Sequence, residues 1–206
     1  MGKCVVIGGA GIENYEQIRP YLKKDDFNIF CDCGLRHMND LNIQPNLIVG
    51  DFDSYQNPGL KCETIVLPRE KDDTDTVFGV KEGIRRGYRE FLLIGMIGQR
   101  LDHSLGNLYI LLKLDALGLK GMIADDYSEM EIISGKPAFV EDRFPYFSLL
   151  NISGTARNIV IENAKYPLNG AEITCEYQFG ISNEVIPGKC AKVTVGEGKL
   201  LLIRNR

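Results

Sequence analysis

Between residues 4 and 124 the chain alternates short, nearly unbroken apolar runs with helix-patterned stretches, and after about residue 126 that alternation stops. The runs cover residues 4–7, 28–31, 46–49, 64–67, 91–94 and 122–124. An apolar run without polar alternation suits a strand covered on both faces, as in a parallel sheet. Between the runs, residues 74–86 set Val77, Val80 and Ile84 at helical spacing. Asp73 or Thr74 is placed to cap that helix and Gly87 to stop it. Residues 102–117 set Leu105, Leu108, Leu112 and Ala116 on one face, with Asp102 as cap and Gly118 just beyond. This is the grammar of repeated βαβ units.

The second grammar is that of an antiparallel sheet. Runs at 130–133, 146–152, 158–161, 172–177, 190–195 and 200–203 are separated by Ser134-Gly135, Ser153-Gly154, Asn169-Gly170, Pro187-Gly188 and the turn at 196–198. Short strands with such punctuation read as a β-sandwich or barrel. The expected fold class is therefore α/β plus all-β. Residues 1–125 form a three-layer α/β domain with a mostly parallel sheet, and residues 126–206 an antiparallel β-sandwich.

Composition narrows the function classes. The 206 residues carry a net charge of −4 and are 44% hydrophobic. That length buries a core without disulfide staples. No basic stripe is available to neutralise phosphates, which argues against non-specific nucleic-acid binding. No apolar run approaches the roughly 20 residues of a membrane-spanning helix. The chain enters its first strand with no basic segment and long apolar stretch before it, so no signal peptide is expected. Six cysteines scattered among apolar segments suit a reducing cytoplasm. Cys31-Asp32-Cys33 lacks the second ligand pair of a structural zinc site.

The unusual residues gather where strands end. Gly8-Gly9 follows the first run, Asp32 the second, and Gly50-Asp51-Phe52-Asp53-Ser54 the third. Lys71-Asp72-Asp73-Thr74-Asp75 comes shortly after the fourth, and Gly98-Gln99-Arg100-Leu101-Asp102-His103 after the fifth. In an open α/β sheet the crevice beyond the carboxyl ends of the strands is where ligands bind. Asp32, Asp51, Asp53 and Asp75 are hard oxygen donors of the kind Mg²⁺ takes together with substrate phosphate. Acids around the start of a helix at Thr74 repel phosphate unless a cation intervenes, so the helix N-terminus and the carboxylates together point to metal. Arg100 is suited to grip phosphate. Asp102 and His103 stand beside it to orient water or substrate.

These motifs, with Asn107, resemble those of the thiamine pyrophosphokinase family. The second half supports the resemblance in order, through Lys165-Tyr166-Pro167-Leu168, Gly180-Ile181-Ser182-Asn183-Glu184 and Gly198-Lys199-Leu200-Leu201. The resemblance spans nearly the whole chain. It implies transfer of a pyrophosphoryl group from ATP to thiamine with Mg²⁺, giving thiamine diphosphate and AMP. It implies a homodimer whose site is shared between the catalytic domain of one subunit and the sandwich of the other. Asp51, Asp53, Asp75 and Arg100 carry the reaction by this resemblance, and Asp32, Asp51, Asp53 and Asp75 hold metal. Gly8, Gly9, Thr74, Arg100, Asp102 and His103 contact ATP, and Ser182 and Asn183 contact thiamine. Cys33 and Gln99 depart from the family pattern, where glycine is usual. The chain has no Trp, so an aromatic platform for thiamine must come from Phe or Tyr. A diphosphokinase acting on a pterin alcohol, and a non-catalytic nucleotide or thiamine sensor, are the rival readings.

Overall fold

The computed structural model describes residues 2–206 except Ser54 and Asn57. Ser54, which closes the motif after the third strand, thus lies outside the described residues. The chain divides into two units, one ending at Asp126 and the other spanning Tyr127–Arg206.

The first unit is built on strands β1 (Cys4–Ile7), β2 (Phe27–Cys31), β3 (Leu47–Gly50), β4 (Glu63–Val66), β5 (Glu90–Ile94) and β6 (Lys120–Ala124). All pair in parallel, in the order β6-β5-β1-β2-β3-β4. The chain moves outward from β1 to β4, then returns to the other side of β1, so the order reverses between β1 and β5. Strands β1, β3 and most of β2 are wholly buried, as their apolar runs require, whereas β4 at the edge is half exposed. One face packs Val5, Ile7, Phe30 and Ile48 against Ile18, Leu35 and Leu41. Ile18 joins two short 3-10 turns, Leu35 lies in a third, and Leu41 ends helix α1 (Met38–Leu41), elements which the sequence pattern did not announce.

The other face is covered by α2 (Asp75–Arg85). Its buried residues are Gly79, Val80, Glu82 and Gly83, so of the expected stripe Val77, Val80 and Ile84 only Val80 is buried. The reason is steric. A Cβ on Gly79 would meet Cys31, Ile29 and Val6 at 3.0–3.4 Å, and one on Gly83 would meet Phe91 and Cys4 under 3 Å. The two glycines bring the helix backbone onto the sheet, and the apolar side chains flank that contact. Helix α3 (Leu101–Ala116) is rotated likewise: it buries Ser104, Ile110, Leu111 and Leu114, while Leu105 is 46% exposed.

The second unit has strands β7 (Ser128–Ile133), β8 (Ala138–Glu141), β9 (Tyr146–Leu150), β10 (Thr155–Glu162), β11 (Leu168–Thr174), β12 (Gly180–Asn183), β13 (Cys190–Glu197) and β14 (Leu200–Asn205). They pair antiparallel as β12-β9-β14-β7 and β11-β10-β13-β8. Phe147, Leu149, Leu200 and Leu202 of one set share a core with Ile159, Ile161, Val193 and Val195 of the other. The all-β half is thus a separate antiparallel sandwich packed around alternate side chains. Strands β8 and β12 were not legible from the sequence, each being only four residues long. Asn169-Gly170, expected as a turn between strands, lies inside β11. Val160 pairs with Asn169 and Ile159 with Ala171, so Gly170, at φ 72°, is the extra residue of a β-bulge.

Candidate functional site

Strand ends and one helix start bring three carboxylates together. Asp32 opens the 3-10 turn Asp32–His37 directly after β2, with φ 38°. Asp51 follows β3, and Asp75 is the first residue of α2. One oxygen from each lies within 4.8 Å of the others. Gly50 makes room for this convergence, since a Cβ there would sit 3.1 Å from that of Asp32. Asp32 is buried, and its Oδ1 has no hydrogen-bond partner. Such an atom is costly to leave unmet. Burial raises the Asp32 pKa, a side-chain hydrogen bond with Cys33 opposes the rise, and the neighbouring Asp75 and Asp51 charges add to it.

Lys71 supplies the local cation. Its Nζ lies 2.6 Å from Asp51 Oδ2 and 2.7 Å from Asp75 Oδ1. The Lys71 hydrogen bond holds the Asp51 carboxyl below its usual range. Burial works against the ammonium, but its bonds to Asp51 and Asp75 outweigh that and its pKa is raised. Asp53 is not brought into the cluster. It is exposed and adjoins the cluster through Asp51, whose carboxyl takes its backbone N–H at 3.3 Å and also interacts with its side chain.

The starts of α2 and α3 frame a second feature. Thr74 is the cap of α2, accepting from Val77 N–H at 3.3 Å, which decides between Asp73 and Thr74. Arg100, not Asp102, occupies the cap position of α3 and gives no side-chain cap bond. Asp102, in the first turn, pairs with Arg100 at 2.6 Å, and both side chains are exposed. Ser104 secures the turn before the helix, its hydroxyl accepting from Gly98 N–H at 3.0 Å and lying 3.1 Å from the Gly98 and Arg100 carbonyls. Asn107 donates to Met96 O at 2.9 Å. Thr74, Val77, Asp102, His103, Gly106 and Asn107 line an open cavity of about 250 Å³.

Gly8 and Gly9 have a packing role of their own. Gly8 N–H is spent on Ile94 O at 2.8 Å, and a Cβ on Gly8 would meet Gly95 O at 2.7 Å. A Cβ on Gly9 would meet that of Cys33 at 2.5 Å. The cysteine at 33 is therefore accommodated by the glycine at 9, and Gln99 is exposed.

In the second unit Ser182 is exposed at φ 58°, and its N–H donates to Ser148 Oγ at 3.1 Å. Asn183 beside it is buried. Its Oδ1 accepts from Tyr166 N–H at 3.1 Å and Glu184 N–H at 2.9 Å, and its Nδ2 donates to Tyr166 O at 2.8 Å. The carboxamide thus fixes the Tyr166 backbone, while the Tyr166 ring is 57% exposed with Lys165 Nζ 5.5 Å from its centre. Lys71, Ser104 and Tyr166 were given no role from the sequence. Lys71 and Tyr166 stand inside the quoted motifs, and nothing in the pattern marked Ser104.

The family model of the thiamin pyrophosphokinase catalytic domain matches residues 18–123, and that of the thiamin pyrophosphokinase vitamin B1 binding domain matches residues 138–200. A thiamine pyrophosphokinase of Bacillus subtilis (strain 168) is 26% identical over 212 residues, covering 98% of this chain and 99% of that protein. Among solved structures, the thiamine pyrophosphokinase of Bacillus subtilis superposes with a TM-score of 0.87 at 24% identity, covering 100% of this chain and 99% of the other. The thiamin pyrophosphokinase of Geobacillus thermodenitrificans gives 0.84 at 27% identity, covering 100% and 98%. The yeast thiamin pyrophosphokinase shares the fold, with a TM-score of 0.78 at 14% identity over 99% of this chain and 85% of that one.

Proposed function

The chain belongs to the thiamin pyrophosphokinase family, and on that footing we propose that it transfers the pyrophosphoryl group of ATP to the hydroxyl of thiamine, giving thiamine diphosphate and AMP. The observation that carries this reading is the convergence of Asp32, Asp51 and Asp75 within 4.8 Å, with a buried Asp32 oxygen left without a partner. Three oxygen donors of this kind fit Mg²⁺, which binds through a few carboxylates and substrate phosphate. Asp32, Asp51 and Asp75 would hold it. When bound, Mg²⁺ neutralises phosphate charge and polarises the phosphoryl oxygens.

The chain's own residues position the reactants. The cavity at the starts of α2 and α3 offers Thr74, His103 and Asn107 to the nucleotide. Arg100, exposed and, among the described residues, paired with the exposed Asp102, exchanges that partner for phosphate. Such transfer is mainly positioning and electrostatic stabilisation, with little covalent work for the protein. A carboxylate beside the attacking hydroxyl accepts its proton as the new bond forms. On the second unit Ser182 presents its hydroxyl and Tyr166 an aromatic face suited to a cationic heteroaromatic ring. Asn183 fixes the Tyr166 backbone from behind, and Ser148 holds that of Ser182. A homodimer, and a site shared between subunits, belong to this reading. All six cysteines are free thiols, which supports a reducing cytoplasm.

Product analysis with ATP, Mg²⁺ and thiamine tests it. AMP and thiamine diphosphate appearing in equal amounts is the expected result. ADP release, or no turnover with thiamine beside turnover with a pterin alcohol, would overturn it.

A further inference from the structure

We infer that Lys71 is a displaceable counter-ion, competing with a divalent cation for the oxygens of Asp51 and Asp75. This inference rests on the cation reading of the carboxylate cluster given above, and concerns what the chain itself sets against cation binding.

The ammonium contacts two of the three acids, at 2.6 Å on Asp51 Oδ2 and 2.7 Å on Asp75 Oδ1. Its ion pairs are with these two acids and not with Asp32, whose Oδ1 is buried without a hydrogen-bond partner. A compact ammonium and a divalent ion cannot both sit on oxygens that lie within 4.8 Å of one another without strong repulsion. Lys71 is placed for release. It stands four residues before Asp75, outside α2, on a flexible four-carbon stem. Asp32 is buried, at φ 38° and packed beside Gly50. The cluster therefore joins Asp32, which Lys71 does not contact, to two carboxylates that share one positive charge from within the chain. By linkage, whatever Lys71 gains on these carboxylates a cation must overcome, and the two effects are reciprocal.

The test is Mn²⁺ titration of the full chain, with neither nucleotide nor thiamine, following free Mn²⁺ by electron paramagnetic resonance, and thermal melting with and without Mn²⁺. Lys71→Gln is expected to bind Mn²⁺ roughly tenfold more tightly, within the range usual for coupled sites. It is also expected to melt lower than the wild type without cation and to gain more on adding it. Lys71→Arg keeps a competing charge and is expected to bind no tighter than wild type, which keeps the test open should the Gln variant not fold. Lys81→Gln removes a cation paired instead with Asp73 and is the positional control. Unchanged or weaker Mn²⁺ binding in Lys71→Gln overturns the proposal. So does an equal gain in Lys81→Gln, which would show a general field effect, or tighter binding in Lys71→Arg. A wild type that takes up no Mn²⁺ overturns the cation reading itself, a different outcome from a wild type that binds Mn²⁺ and variants that do not differ from it.

Discussion

At the scale of single residues, the two aspartates of Gly-Asp-Phe-Asp separate. Asp51 shares the cluster with Asp32 and Asp75, whereas Asp53 is exposed and stands beside Asp51, to whose carboxylate its N–H donates. Asp51→Asn is expected to lower turnover by at least about a hundredfold at limiting Mg²⁺, since a lost donor weakens both cation hold and phosphate neutralisation. Asp53→Asn should cost far less, and steady-state rates across a Mg²⁺ series decide between them. Ser182 and Asn183 separate in the same way. Ser182→Ala should raise the thiamine KM with the melting temperature unchanged. Asn183→Ala leaves Tyr166 N–H and O and Glu184 N–H without their partner, so it should destabilise by about 1–3 kcal/mol in denaturant titration and weaken thiamine as well. The clustering of Asp32, Asp51 and Asp75 was legible because each follows a strand end or opens a helix, positions the apolar pattern fixes. Which oxygens converge was not, because that depends on a left-handed turn at Asp32 that no residue type announces.

Among the elements, strand positions followed closely from the apolar runs, but the helix faces did not. A periodicity argument takes the apolar stripe as the buried one, and on α2 two glycines reverse that by letting backbone approach the sheet. Gly83→Ala drives a Cβ to 2.7 Å from the Phe91 ring and 2.8 Å from Cys4 Sγ. Overpacking of roughly 1–3 kcal/mol should exceed the helix-propensity gain of about 1 kcal/mol. Gly106→Ala on α3 meets nothing within 4 Å, so there the propensity gain should stand, raising the melting temperature. The same methyl enters the cavity that Gly106 lines, so the ATP KM should rise with it. At the far end of α2, buried Glu82 has its pKa lowered by the hydrogen bond from Arg85, against the effect of burial, with Arg86 assisting. A depressed carboxyl contributes stability above its unfolded pKa and loses it as pH falls through the folded one. Glu82→Gln should therefore destabilise at neutral pH, and the difference from wild type should close as acid protonates Glu82, read from melting curves across pH.

For the whole molecule, the change of pattern near residue 126 was legible because βαβ units and antiparallel strands differ in apolar period. The division of labour between the two halves rests on the family resemblance, since nothing in periodicity links Ser182 to Asp51. The carboxylate cluster lies wholly in the first unit, and Ser182 and Asn183, at the end of β12, lie wholly in the second. In the shared-site proposal one subunit supplies Asp51 and its partner supplies Ser182 and Asn183. At limiting Mg²⁺ and thiamine, Asp51→Asn and Asn183→Ala subunits should each have little activity as separate preparations, yet regain activity when mixed. A heterodimer then contains one site with both lesions and one with neither. Random exchange makes about half of the dimers mixed, each with one of its two sites intact, so activity should approach about a quarter of wild type. Differently labelled subunits report exchange independently of activity. Exchange with recovery near a quarter supports the shared site. Exchange without recovery means that each site is completed within a single chain, because every site in the mixed dimer then carries one lesion of its own.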